Sequence, residues 1–210
     1  MAKRPPQLQR NTAQWADFDA DVLRNPDLPA SAAKAQLIAA TVHQGQTDQN
    51  GQPYLQHPAA VVDLAHGLPE YQQLDPHSQD VVVQAAWLHD TLEDTALTTD
   101  DLRVAGFSDT VIDTVVAVTS HDDETKAEYY QRVRNAGPLA LIVKLADLTH
   151  NTLPSRRDTL PGSPTKPITA DRNSDPDADR WTTLGVKYAN AYGSLGLAVP
   201  THLRQFLTTT

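Results

Sequence analysis

The apolar run Val81-Val82-Val83-Gln84-Ala85-Ala86-Trp87-Leu88 leads straight into His89-Asp90-Thr91-Leu92-Glu93-Asp94-Thr95, so that one imidazole and three carboxylates follow a segment with the composition of a buried helix. On a continuous helix His89 and Glu93 are spaced i,i+4, Asp90 and Glu93 i,i+3, and Asp90 and Asp94 i,i+4, which sends all four into one neighbourhood. Carboxylates at the C-terminal end of such a helix face the negative pole of its dipole, at about 0.3–1 kcal/mol each, and a divalent cation is the simplest offsetting charge. A second His-Asp pair stands in Ser120-His121-Asp122-Asp123-Glu124. No apolar run leads into it, and it reads as a solvated turn.

Two further segments carry candidate ligands. Asn50-Gly51-Gln52-Pro53-Tyr54-Leu55-Gln56-His57-Pro58 is a turn that places His57 just before a proline suited to a first helical turn. Leu139 to Asn151 is a strongly apolar helix with Lys144, Asp147 and Asn151 along one face. A local ion pair between Lys144 and Asp147, with Asn151 capping the helix end, accounts for that stripe as well as a ligand role does.

Taken together, His43-Gln44-Gly45-Gln46, Gly51 to Pro58, Leu88 to Thr95 and Lys144 to Asn151 stand in the order found in the HD-domain phosphohydrolases. The chain resembles these from about Ala32 to Asn151, and more narrowly the small alarmone hydrolases, the free-standing hydrolase form of RelA/SpoT homologues. The resemblance implies that His57, His89, Asp90 and Asp147 hold one metal, usually Mn²⁺ in that family. It implies further that Glu93 and Asp94 act beside it as catalytic acids, and that Asn151 contacts the nucleoside. Two imidazoles and two carboxylates are a mixed N/O set that also suits Zn²⁺, Co²⁺ or Fe²⁺. Most such hydrolases carry adjacent basic residues between the first His motif and the Gly-x-Pro-Tyr turn, one of them an arginine that stacks on guanine. Asp48 and Gln49 stand at those positions here, which opens an adenine alarmone or another nucleotide as substrate. Tyr130 and Arg132, in Tyr129-Tyr130-x-Arg132, and Lys144 are the remaining candidates for substrate contact. The implied activity is hydrolysis of the 3′-diphosphate of a (p)ppGpp-like nucleotide to pyrophosphate and GDP or GTP. The alternatives are a phosphohydrolase of (p)ppApp or NADPH, and a catalytically silent HD module with a regulatory or protein-binding surface.

To position these groups the chain reads as helices almost throughout, in an all-α, single-domain bundle with the metal site in a core cleft. Apolar spacing predicts helices over 13–23, 32–43, 58–65, 79–90, 99–104, 109–119, 126–135, 139–151 and 179–195, with a short one over 200–207. Ser31, Thr99 and Ser108 are N-cap candidates. Residues 1–10 read as a flexible tail, 11–210 as the domain, and 161–178, rich in Pro, Ser, Asp and Asn, as a long loop. The 210 residues include no cysteine, which excludes thiolate metal sites, disulfides and cysteine nucleophiles. A net charge of −9 argues against a nucleic-acid partner, and the absence of an apolar leader or span predicts a cytoplasmic chain without a membrane partner.

Overall fold

The computed structural model describes residues 13–48, 51–166 and 179–207. Among these there is no strand, only two isolated bridges, Thr47 with Pro53 and Ser163 with Lys166. The helices are α1 (Ala13–Phe18), continued by a π-helical segment over Asp19–Leu23, then α2 (Ala32–Val42), α3 (Gln56–His66), α4 (Pro69–Gln72) and α5 (Pro76–Leu88). There follow α6 (Thr91–Asp94), α7 (Thr99–Val104), α8 (Asp109–Val118), α9 (Lys126–Asn135), α10 (Pro138–Thr152), α11 (Pro154–Arg157), α12 (Arg180–Ser194) and a 3₁₀ turn over Thr201–Phe206. The chain forms two compact units, Met1–Ala146 and Asp147–Thr210, with the division inside α10.

In the first unit α5 is the central element and packs on α2, α3 and α8. Val81, Val82, Ala85, Ala86 and Leu88 bury its C-terminal half, where the sequence is apolar on most sides, while Pro76, His77 and Asp80 at its start are exposed. Ile38 and Ala39 of α2, Val61 of α3 and Ile112 and Val115 of α8 are likewise buried. One buried charge belongs to this core. Lys34, only 2% exposed, sends its ammonium to the Leu23 and Ala105 carbonyls at 3.1 and 2.7 Å, satisfying acceptors where the π-helical segment and α7 end.

Several boundaries differ from the periodicity. α5 begins at Pro76 rather than Gln79, because Asp75 caps the amides of His77 and Ser78 and Pro76 suits the first turn, signals that precede the apolar pattern. α5 also stops at Leu88, short of Asp90. Its last carbonyls are taken by side chains: His89 Nδ1 lies 2.8 Å from the Ala86 oxygen, and Thr91 Oγ1 donates to the Leu88 oxygen at 2.7 Å. A new short helix then opens with Glu93 and Asp94 in its first turn, so these acids do not face the negative end of a long helix dipole. Thr98, not Thr99, caps α7, in a capping box with Asp101.

The second unit is built around α12 and the 3₁₀ turn. The buried Arg157 guanidinium lies over the rings of Trp181 and Phe206, 5.2 and 4.6 Å from their centroids, and donates to the Trp181 carbonyl at 2.6 Å. Gly185 leaves room for this stack: a Cβ there would sit 2.7 Å from both Arg157 and Phe206. Residues 161–166 of the expected loop form a tight turn, while 167–178, the 1–10 tail and Gln49 lie outside the described residues.

Candidate active site

Three donor atoms from two elements meet in the first unit. His57 comes from the first turn of α3, where its amide bonds the Tyr54 carbonyl at 2.8 Å, and His89 and Asp90 occupy the turn between α5 and α6. His57 Nε2 and His89 Nε2 are 3.2 Å apart, and Asp90 Oδ2 lies 3.3 and 3.0 Å from them. Both imidazoles are buried. Because His89 Nδ1 faces a carbonyl, which only accepts, the ring hydrogen belongs on Nδ1 and a neutral ring turns its Nε2 lone pair toward His57 and Asp90. That is the tautomer a metal ligand requires, fixed by its outer hydrogen bond.

The donor set fits a divalent cation. Bonds of about 2.0–2.2 Å place neighbouring ligands of one ion roughly 3.0–3.5 Å apart, which is the spacing found among these three atoms. Burial by itself would raise the Asp90 pKa, but the His89 and His57 imidazoles outweigh it and hold this carboxyl well below the ordinary range. His57, His89 and Asp90 could therefore hold a metal.

Asp94 lies beside this group, tied to it through Tyr54, whose hydroxyl is hydrogen-bonded to Asp90 Oδ2 and lies 3.2 Å from Asp94 Oδ2. Burial, then the neighbouring charges of Asp90 and Glu93, push the Asp94 carboxyl up to about 6. Behind it His43 Nδ1 donates to Gln46 Oε1 at 2.8 Å, and Gln46 Nε2 donates to the Asp94 carbonyl at 3.3 Å. His43 Nε2 is buried without a hydrogen-bond partner, and burial lowers the pKa of this ring. Glu93 places its charge beside Asp94 and also reaches the segment at Ser120. Its Oε2 accepts the Ser120 amide at 3.0 Å, and it walls a cleft of about 420 Å³ with Leu92, Leu97, Val116, Ser120 and His121.

The other expected residues have surroundings of their own. Asp147 is buried and accepts from Asn151 Nδ2 at 2.5 Å. Arg132 is engaged as a helix cap, donating to the Val116, Ala117 and Thr119 carbonyls and pairing with Glu124 at 2.6 Å. Tyr130 is buried against Tyr129, and Lys144 lies over the Tyr129 ring at 5.3 Å. Asp48 closes its own turn, accepting the Gln52 amide at 3.0 Å. His121 and Asp122 are exposed, as their polar setting predicts. Sequence reasoning gave no role to Tyr54; the available signal was its place three residues before His57 in a turn, which brings its ring to the imidazole.

A family model described as HD domain matches residues 35–153. The chain belongs to the HD-domain family. This HD domain is 35% identical over 129 residues to the bifunctional (p)ppGpp synthase/hydrolase SpoT of Escherichia coli K12, a match over 56% of this chain and 17% of that protein. It is also 35% identical over 126 residues to a GTP pyrophosphokinase of Streptomyces coelicolor, over 56% of this chain and 14% of that protein. The chain thus spans less than a fifth of the length of these relatives. A solved structure described as a metazoan ortholog of SpoT that hydrolyzes ppGpp shares the fold, with a TM-score of 0.57 and 24% identity over 85% of this chain and 92% of that one.

Proposed function

We propose that this HD domain is a metal-dependent hydrolase that removes the 3′-diphosphate of a (p)ppGpp-like nucleotide as pyrophosphate, leaving the nucleoside 5′-di- or triphosphate. The observation that carries the reading is the convergence of His57 Nε2, His89 Nε2 and Asp90 Oδ2, with the His89 tautomer set by Ala86, next to an Asp94 whose pKa is displaced toward neutrality. The relatives point to the substrate class. Mn²⁺ is the proposed metal. Asp147 enters as a fourth ligand on the strength of its sequence motif alone. Bound there, the metal supplies Lewis-acid polarisation of a phosphoryl oxygen and a lowered pKa for nearby water.

The remaining work falls to the chain. Asp94 takes a proton from the attacking water, aided by Glu93, as the water oxygen bonds to phosphorus and the bond from phosphorus to the ribose 3′ oxygen breaks. The proton then passes to that 3′ oxygen. Asn151 serves the nucleoside. Lys126 and Lys144, each within 5.5 Å of the Tyr129 centroid, concentrate positive charge suited to a diphosphate in a chain of net charge −9.

The test is pyrophosphate and orthophosphate release from ppGpp, pppGpp, ppApp and NADPH with Mn²⁺ supplied. Pyrophosphate from ppGpp or pppGpp is expected. Release from ppApp alone would move the proposal to an adenine alarmone, which Asp48 in place of a stacking cation favours. Orthophosphate from NADPH alone would replace the reaction. Metal uptake with no turnover of any of the four would leave a silent module.

A further inference from the structure

We infer that Tyr54 is a positioning residue that locks the Asp90 carboxylate onto the metal position and couples it to Asp94. The inference rests on the metal reading above and extends it to a side chain outside the ligand set. Its ground is geometric. The Asp90 oxygen that receives the Tyr54 hydroxyl is Oδ2, the same atom that lies 3.3 and 3.0 Å from the His57 and His89 ring nitrogens. A carboxylate turns about its last bond unless something fixes it, and outer hydrogen bonds commonly supply that constraint for ligating carboxylates.

Tyr54 is itself held. Its amide donates to the Gln46 carbonyl at 3.0 Å, and its own carbonyl accepts the His57 amide at 2.8 Å. Its ring sits between the imidazoles of His43 and His57, with centroids 4.8 and 5.7 Å away. The hydroxyl therefore arrives at a defined place, within reach of both Asp90 and Asp94. A phenol carries one hydrogen, so it serves the two carboxylates in alternation or as a bridge when one of them bears a proton. With its hydroxyl at Asp90 Oδ2 and within reach of Asp94 Oδ2, the one side chain fixes the ligating carboxylate and the proposed base relative to each other.

Tyr54→Phe removes only the hydroxyl and keeps the ring between its imidazole neighbours. Mn²⁺ binding to the full chain, measured by the paramagnetic resonance signal of the free ion, should weaken about 10- to 100-fold. At saturating Mn²⁺, kcat should remain about tenfold below wild type with KM unchanged, because the link to Asp94 is still missing. A Kd within twofold of wild type overturns the inference. Full recovery of kcat at saturating metal overturns the coupling to Asp94. Loss of helix content in the variant assigns Tyr54 a structural role instead. A wild-type chain that takes up no Mn²⁺ refutes the metal reading itself, an outcome separate from all of these.

Discussion

Asp94 carries the largest readable consequence of any single residue. Its carboxyl is pushed up to about 6 by burial and by its acidic neighbours, against 3.8 when solvated, so its protonated form is favoured by folding. In chelated, metal-free protein this contribution is fully present below about pH 4 and is lost as pH rises through 6. Asp94→Asn removes that dependence. Denaturant unfolding at pH 4 and pH 7 should show wild type losing about 2 kcal/mol relative to the variant across this range; parallel curves would refute the shifted pKa. Glu93→Gln should retain metal and helix content yet lower kcat by about 10² to 10⁴, as removal of a general acid or base does. Asn151→Ala should act mainly on KM. At this scale His89 and Asp90 were legible because an imidazole and acids at the end of an apolar run demand a partner, whereas His57, in a polar turn, was joined to them only through the motif order. The use of Arg132 as a cap was not, since an arginine reads alike whether its fork meets a phosphate or three backbone carbonyls.

At the scale of elements, most helices are written in their apolar spacing, and α7 and α9 coincide with it in both boundaries. The ends of α5 are not, because periodicity reports burial while caps decide termination. Asp75 and Pro76 start the helix before any buried residue, and His89 and Thr91 finish it with side chains that bond its last carbonyls. The four-residue helices α4, α6 and α11 are too short to hold a period. Lys34 was equally hidden, since a lysine on a helix is ordinarily read as solvated. Lys34→Met should keep α2 in place yet strand two carbonyls, with a loss of about 2–4 kcal/mol in urea unfolding. Gly185→Ala in the second unit should drive a methyl into the Arg157 stack and cost about 1–3 kcal/mol, visible as a lower melting midpoint with helix content preserved.

At the scale of the whole molecule, no helix among the described residues is long and apolar enough to cross a membrane. A ligand that binds only the folded chain raises its stability by mass action, about 2.7 kcal/mol at a concentration of 100 Kd. Mn²⁺ at that level should raise Tm by roughly 5–10 °C for a chain of this size, and chelation should reverse it. His89→Ala should abolish the shift; an equal shift in the variant would mean that the ion binds elsewhere. The turn at Asp48 bears on the history of the chain more than on its chemistry. That side chain closes its turn on the Gln52 amide, which makes it a fastener at the position where the family resemblance leads one to expect a basic residue. An Asp48→Arg exchange removes a local tether, so a change at this position calls for a second residue to secure the turn. The order of substitutions in this turn is thereby constrained, and randomising the turn with selection for folded chains should recover Asp48 changes mainly in company with others between Gln46 and Pro53.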